Sequence, residues 1–74
     1  MPRKFEPGLA NRIRDVRTAA GLSQEELAGR VQVTRQTIIA LEGQAYTPSL
    51  ALALRLAAVF RQPVERLFWF EPAE

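Results

Sequence analysis

The sequence predicts an all-α domain, a compact set of five short helices around one core. Three observations carry this. Apolar residues recur at helical spacing, first at Leu9, Ile13, Val16 and Ala20. Helix-starting side chains stand ahead of later apolar runs at Ser23, Thr34 and Ser49. Gly21, Gly43, Pro48 and Pro63 punctuate the chain where helices should stop or begin. At 74 residues the chain makes one domain, because a core of this size is too small to divide and buries only about 60% of the unfolded surface.

The first helix is carried by the Leu9 to Ala20 pattern and stopped by Gly21. Ser23 and Glu26 form a capping box, each side chain satisfying the other's free backbone N–H, so the second helix starts sharply and runs to about Val31. Thr34 caps a third helix that ends near Glu42 and Gly43, and Gln44 to Pro48 is a loop. Pro48 and Ser49 open a fourth helix through Phe60. It is apolar over most of its circumference at Leu50, Leu52, Ala53, Leu54, Leu56, Ala57 and Val59, which suits the central helix of a bundle. Pro63 opens a fifth, ending at Leu67 or Phe68. The expected organisation is a flexible N-terminal arm at 1–8, a domain at 9–68 and an aromatic C-terminal tail at 69–74, with no internal repeat or linker.

The second and third helices would bury Leu27, Val31, Val33, Ile38 and Leu41 between them, with small Ala28 permitting a close crossing. Arg35, Gln36, Ile39 and Ala40 are left facing outward. Arginine and glutamine can each place two parallel hydrogen bonds on a purine edge in the major groove, so the pair of helices reads as a helix-turn-helix aimed at DNA. Plainer readings stand beside this one. Arg35 and Gln36 would then be solvated surface residues, Thr37 would bridge core and surface, and isolated Ile39 and Ala40 would carry no role.

The formal net charge of +2 says little by itself. Its distribution says more: Arg3, Lys4, Arg12, Arg14 and Arg17 lie in the first part of the chain with only Glu6 and Asp15 opposing them, a pattern that suits a polyanion or an ordinary solvated helical surface. The chain has no cysteine and no histidine, so neither a disulfide framework nor an ordinary zinc site is expected. No cofactor, metal or catalytic residue is expected either, since no Gly-rich phosphate loop and no carboxylate pair placed for acid and base work is present. Nothing resembles a signal peptide, and the longest apolar stretch, Leu50 to Phe60, is too short to span a bilayer and contains Arg55. The expected location is the cytoplasm, with no membrane partner and no small-molecule effector.

Several motifs together resemble the Xre-type helix-turn-helix family of the lambda and Cro phage repressors. They are Arg14-Asp15-Val16-Arg17, Gly21-Leu22-Ser23-Gln24-Glu25-Glu26-Leu27-Ala28, Val33-Thr34-Arg35-Gln36-Thr37-Ile38, Leu41-Glu42, Tyr46-Thr47-Pro48-Ser49-Leu50 and Val64-Glu65-Arg66-Leu67-Phe68. The resemblance covers roughly Leu9 to Phe68 and implies a lambda-repressor-like five-helix domain. It implies base contacts from Arg35, Gln36, Thr37 and Ala40, and phosphate contacts from Gln24 and Thr34, to which the basic arm residues Arg3 and Lys4 are added. Arg17 and Glu42 match a pair that joins the first and third helices in similar repressors, a structural bidentate ion pair. The chain departs from the family where glycine is usual, at Gln32, Gln44 and Arg61. A left-handed backbone kept at these positions costs roughly 1 kcal/mol or more each, unless Gly43 ends the third helix one residue early. Ala45 also stands where the family often places a basic residue.

Phe68-Trp69-Phe70 cannot all face the core of so small a domain. Either the run folds back over the last helices, or Trp69 and Phe70 form a self-association surface, which would give a two-fold homodimer presenting two recognition helices. The expected function is that of a sequence-specific double-stranded DNA-binding transcriptional regulator, a repressor, that performs no chemistry and reads the major groove with helix 34–42. The alternatives are an antitoxin or phage-type immunity regulator binding a partner protein, and a protein-interaction module that does not touch DNA.

Overall fold

Five helices and two short strands follow one another in the computed structural model, which describes residues 6–72: β1 (Leu9–Asn11), α1 (Ile13–Ala19), α2 (Gln24–Arg30), α3 (Arg35–Glu42), α4 (Leu50–Phe60), α5 (Val64–Leu67) and β2 (Phe68–Phe70). The starts of α2, α3 and α4 are set by hydroxyl side chains. Ser23 Oγ accepts from the Glu26 N–H at 3.0 Å while Glu26 Oε1 accepts from the Ser23 N–H at 2.8 Å, completing the capping box. The bond from the Ser23 backbone N–H, and after it the Ser23 hydroxyl, hold the Glu26 carboxyl below the usual carboxylate range. Thr34 Oγ1 accepts from Thr37 N at 3.2 Å, and Ser49 Oγ from Leu52 N at 3.1 Å.

Four helix ends share one geometry. After α1, α2, α3 and α4 a single residue turns left-handed, and the N–H beyond it bonds back to a carbonyl five residues earlier: Leu22 to Arg17 at 3.1 Å, Val33 to Ala28 at 3.0 Å, Ala45 to Ala40 at 2.8 Å and Gln62 to Ala57 at 3.1 Å. Glycine takes the left-handed position only at the first, Gly21 with φ 73°. The other three are Gln32 (φ 62°), Gln44 (φ 59°) and Arg61 (φ 54°). Gly43 therefore does not end α3 early; its φ is −84° and the left-handed residue is Gln44.

The five helices are accompanied by a two-stranded antiparallel sheet absent from the sequence reading, in which Leu9 faces Phe70, Ala10 faces Trp69 and Asn11 faces Phe68. Two expectations are corrected by it. Helix one begins at Ile13 rather than Leu9, because Asn11 Oδ1 accepts from the Ile13 N–H at 3.0 Å and the residues before it pair with β2. The aromatic run opens as a strand at Phe68 instead of a tail at Trp69. The arm is likewise tied down where it is described, with the Glu71 N–H donating to the Gly8 carbonyl at 2.7 Å and the Glu6 N–H to Thr47 Oγ1.

Ile13, Leu27, Ala28, Val31, Ile38, Leu41, Leu52, Ala53, Leu56, Leu67 and Phe68 form one core. Of the five residues expected between α2 and α3, Val33 is only partly buried. The expectation of a central α4 is also corrected. Its Leu52, Ala53 and Leu56 are buried, but Leu50 and Leu54 are exposed, because too few elements exist to surround a helix on all sides.

Candidate nucleic-acid interface

The packing of α2 against α3 through Leu27, Val31, Ile38 and Leu41 sets which side of α3 is free. Arg35 and Gln36, in its first turn, are exposed, and their side chains bond to nothing among the described residues. Thr37 is half-buried, with its hydroxyl 3.1 Å from that of Thr34. Ala40, one turn further on, is half-buried, and Ile39 beside it is exposed. Two amide- or guanidinium-bearing side chains thus project from the start of a helix whose far face is anchored in the core.

Beside that surface lies an open groove of about 590 Å³, lined by Arg14, Arg17, Ser23, Gln24, Glu25 and Arg35. Two of its lining side chains, Arg17 and Gln24, are held by Glu42, whose side chain is 1% exposed. Arg17 Nε donates to Glu42 Oε2 at 2.6 Å, its terminal nitrogen Nη2 to Oε1 at 3.2 Å, and Nη1 to the Leu22 carbonyl at 2.9 Å. This is the bidentate fork that best matches guanidinium to carboxylate. Gln24 Nε2 also donates to Glu42 Oε1, at 3.1 Å. Burial pushes the Glu42 carboxyl upward, but hydrogen bonds from Arg17 and Gln24 and the charges of Arg17 and Arg14 outweigh it, leaving the pKa below the usual range. The hydrogen bond to Glu42 raises that of Arg17. One carboxylate thereby joins α1, the start of α2 and the end of α3.

The site residues named from sequence fall into three groups. Arg35, Gln36, Gln24 and Thr34 lie at the starts of α3 and α2, while Thr37 and Ala40 follow along α3. Gln24 is bonded to Glu42, and the Thr34 hydroxyl caps α3. Arg3 and Lys4 lie outside the described residues. Trp69 and Phe70 sit in β2: Trp69 is half-buried with the Arg12 guanidinium 4.9 Å from its ring centroid, a cation–π contact, whereas Phe70 is 65% exposed.

Two side chains matter more than their sequence reading suggested. Asn11 Nδ2 donates to the Leu41 carbonyl at 2.9 Å while its Oδ1 receives the start of α1, so it fixes α3 against α1. An asparagine ahead of an apolar helical run was the available signal. Arg14 belongs, by sequence, to a basic run and to the Arg14-Asp15-Val16-Arg17 motif, neither of which gives it a role in the site. Its spacing three residues before Arg17 puts both on one face of α1 and was the signal for its place in the groove.

The fold and the exposed start of α3 define a helix-turn-helix module. Residues 13–67 match the helix-turn-helix family, and relatives align with most of the chain. An uncharacterized HTH-type transcriptional regulator of Archaeoglobus fulgidus is 47% identical over 66 residues, covering 89% of this chain and 94% of its own. Another, from Methanothermobacter thermautotrophicus, is 60% identical over 57 residues, covering 76% and 83%. Among solved structures, the restriction-modification controller protein C.AhdI from Aeromonas hydrophila is similar with a TM-score of 0.70 at 36% identity, covering 76% of this chain and 85% of that one. A putative DNA-binding protein from Bacteroides fragilis matches with a TM-score of 0.73 at 21% identity, a likeness of fold alone. The chain belongs to the helix-turn-helix family, of the Xre and lambda-repressor type.

Proposed function

We propose that this protein is a sequence-specific double-stranded DNA-binding transcriptional regulator, a repressor, that inserts the start of α3 into the major groove. The observation that carries the reading is the outward, uncommitted pair Arg35 and Gln36 on a helix rigidly seated by Ile38 and Leu41. Both side chains can make paired hydrogen bonds to a purine edge, Arg35 with two donors and Gln36 with one donor and one acceptor, while Thr37 and Ala40 meet bases farther along the helix. The relatives named transcriptional regulators and the controller protein C.AhdI support the same reading.

Phosphate contacts fall to Gln24 and Thr34, with Arg3 and Lys4 as further candidates. Gln24 gives one N–H of its amide to Glu42, which aims the group and leaves the second N–H for a phosphate. Regulation of this kind is occupancy of a site, with no bond made or broken, and takes place in the cytoplasm where the DNA is. Two copies of the chain act together, as a homodimer.

The test is selection of bound sites from random duplex DNA, followed by affinity for the preferred and a scrambled site. Arg35→Ala and Gln36→Ala each remove a contact worth about 1–3 kcal/mol of discrimination, so the affinity ratio should fall roughly tenfold or more. Retention of the parent's site preference by both variants would remove α3 from the role of reader.

A further inference from the structure

We propose that Arg14 is a phosphate-binding residue, held over the groove by Glu42 and free to close on the DNA backbone beside the phosphate met by Gln24. The proposal rests on the DNA-binding reading and adds a contact to it.

Three guanidinium groups line the 590 Å³ groove, and they are not equivalent. Arg17 gives three of its five N–H donors to Glu42 and the Leu22 carbonyl, and its side chain is 12% exposed, so its charge is paired inside the protein. Arg35 points from α3 and belongs to the groove-reading surface. Arg14 is different: its side chain is 70% exposed, and its only partner among the described residues is Glu42 Oε1 at 3.8 Å, beyond hydrogen-bond distance. That contact is electrostatic guidance, which keeps the guanidinium over the groove without engaging any of its N–H donors. A guanidinium with its donors unengaged suits the bidentate geometry of a phosphate. The carboxylate that guides it is itself paired with Arg17 and bonded by Gln24, so release of Arg14 to a phosphate leaves no buried charge unpaired. Gln24 and Arg14 line one groove and share Glu42, which places their two phosphate contacts close together.

The experiment measures duplex affinity against salt for the parent, Arg14→Gln, Arg14→Lys and Arg66→Gln, the last removing an exposed positive charge on α5 away from the groove. Each cation paired with a phosphate contributes about 0.9 to the log–log slope. Arg14→Gln should lower the slope by about that amount with unchanged site preference, Arg14→Lys should restore it, and Arg66→Gln should leave it near the parent's value. A second measurement replaces single phosphates of the operator by uncharged methylphosphonates. One position should weaken the parent severalfold and leave Arg14→Gln unaffected. Thermal melting checks that the variants stay folded, as the exposed side chain allows. A parental slope in Arg14→Gln, or equal sensitivity of both proteins to every neutralised phosphate, overturns the Arg14 contact while leaving the DNA-binding reading intact. Failure of the parent itself to bind duplex DNA overturns that reading instead.

Discussion

Glu42 shows how much one buried side chain can organise. Its oxygens serve Arg17 and Gln24, with Arg14 nearby, and its carboxyl is held below the usual range although burial works against the charge. A carboxyl with a folded pKa below its unfolded value, about 4.3 in model peptides, binds fewer protons in the native state. Its stabilisation is therefore complete above the unfolded value and is lost as pH falls through the folded one. Melting temperature should fall on acidification from about pH 5 downward. Glu42→Gln should flatten part of that fall and lower stability at neutral pH by about 3 kcal/mol, because the Arg17 charge is left with poorer compensation. Equal neutral-pH stability of the variant and the parent would show that the bridge is energetically idle. This pair was legible in the sequence through the family's matching positions. The part played by Gln24 was not, because its sharing of one carboxylate depends on where α2 and α3 come together.

At the scale of elements, helix starts and stops follow different rules here. The starts are local: Ser23, Thr34 and Ser49 each satisfy an N–H three residues ahead, so their positions can be read from residue type alone. The stops after α2, α3 and α4 keep a left-handed backbone without glycine. A left-handed non-glycine residue costs about 1–2 kcal/mol, and glycine's greater unfolded-state freedom returns about half of that on substitution. Gln32→Gly, Gln44→Gly and Arg61→Gly should each raise stability by about 0.5–1 kcal/mol, seen as a higher denaturant midpoint at constant slope. Gly21→Ala should do the reverse. A Cβ at Gly21 meets nothing within 4 Å, so any loss there reports the backbone alone. Lower midpoints for all three glycine variants would mean that their present side chains make compensating contacts.

The whole domain measures 34 × 24 × 19 Å and presents one α3, enough for a single segment of major groove. A two-fold dimer would set two such helices about 34 Å apart, one turn of DNA, and the preferred operator should be a palindrome with that spacing. The structure divides the two residues first named for the dimer surface. Both belong to the sheet, but Trp69 is engaged with Arg12 and half-buried, while Phe70 is exposed. Phe70→Ser should lower sedimentation mass and weaken binding to a full operator far more than to a half-site, with the helical circular-dichroism signal unchanged. An unchanged mass would move the interface away from β2, and a parent that occupies its site as one copy would exclude the homodimer.

What the sequence determined by itself was the set of interactions that close within a few residues: five helices, their hydroxyl caps, the apolar faces of α2 and α3, and the outward start of the recognition helix. Helical period and capping chemistry are short-range, so residue type and spacing suffice. Tertiary structure alone decided the rest. Leu9–Asn11 carries an apolar pattern that extends α1 on paper, yet it pairs with Phe68–Phe70 from the other end of the chain, because Asn11 starts the helix late and the strand edges satisfy one another. The same long-range closure leaves Leu50 and Leu54 in solvent and brings Arg14, Arg17 and Gln24 into one groove, with Glu42 of a third helix bonded to the last two. These features depend on which surfaces meet when the chain folds, and local spacing, such as that of Arg14 and Arg17 along α1, encodes only one side of that meeting.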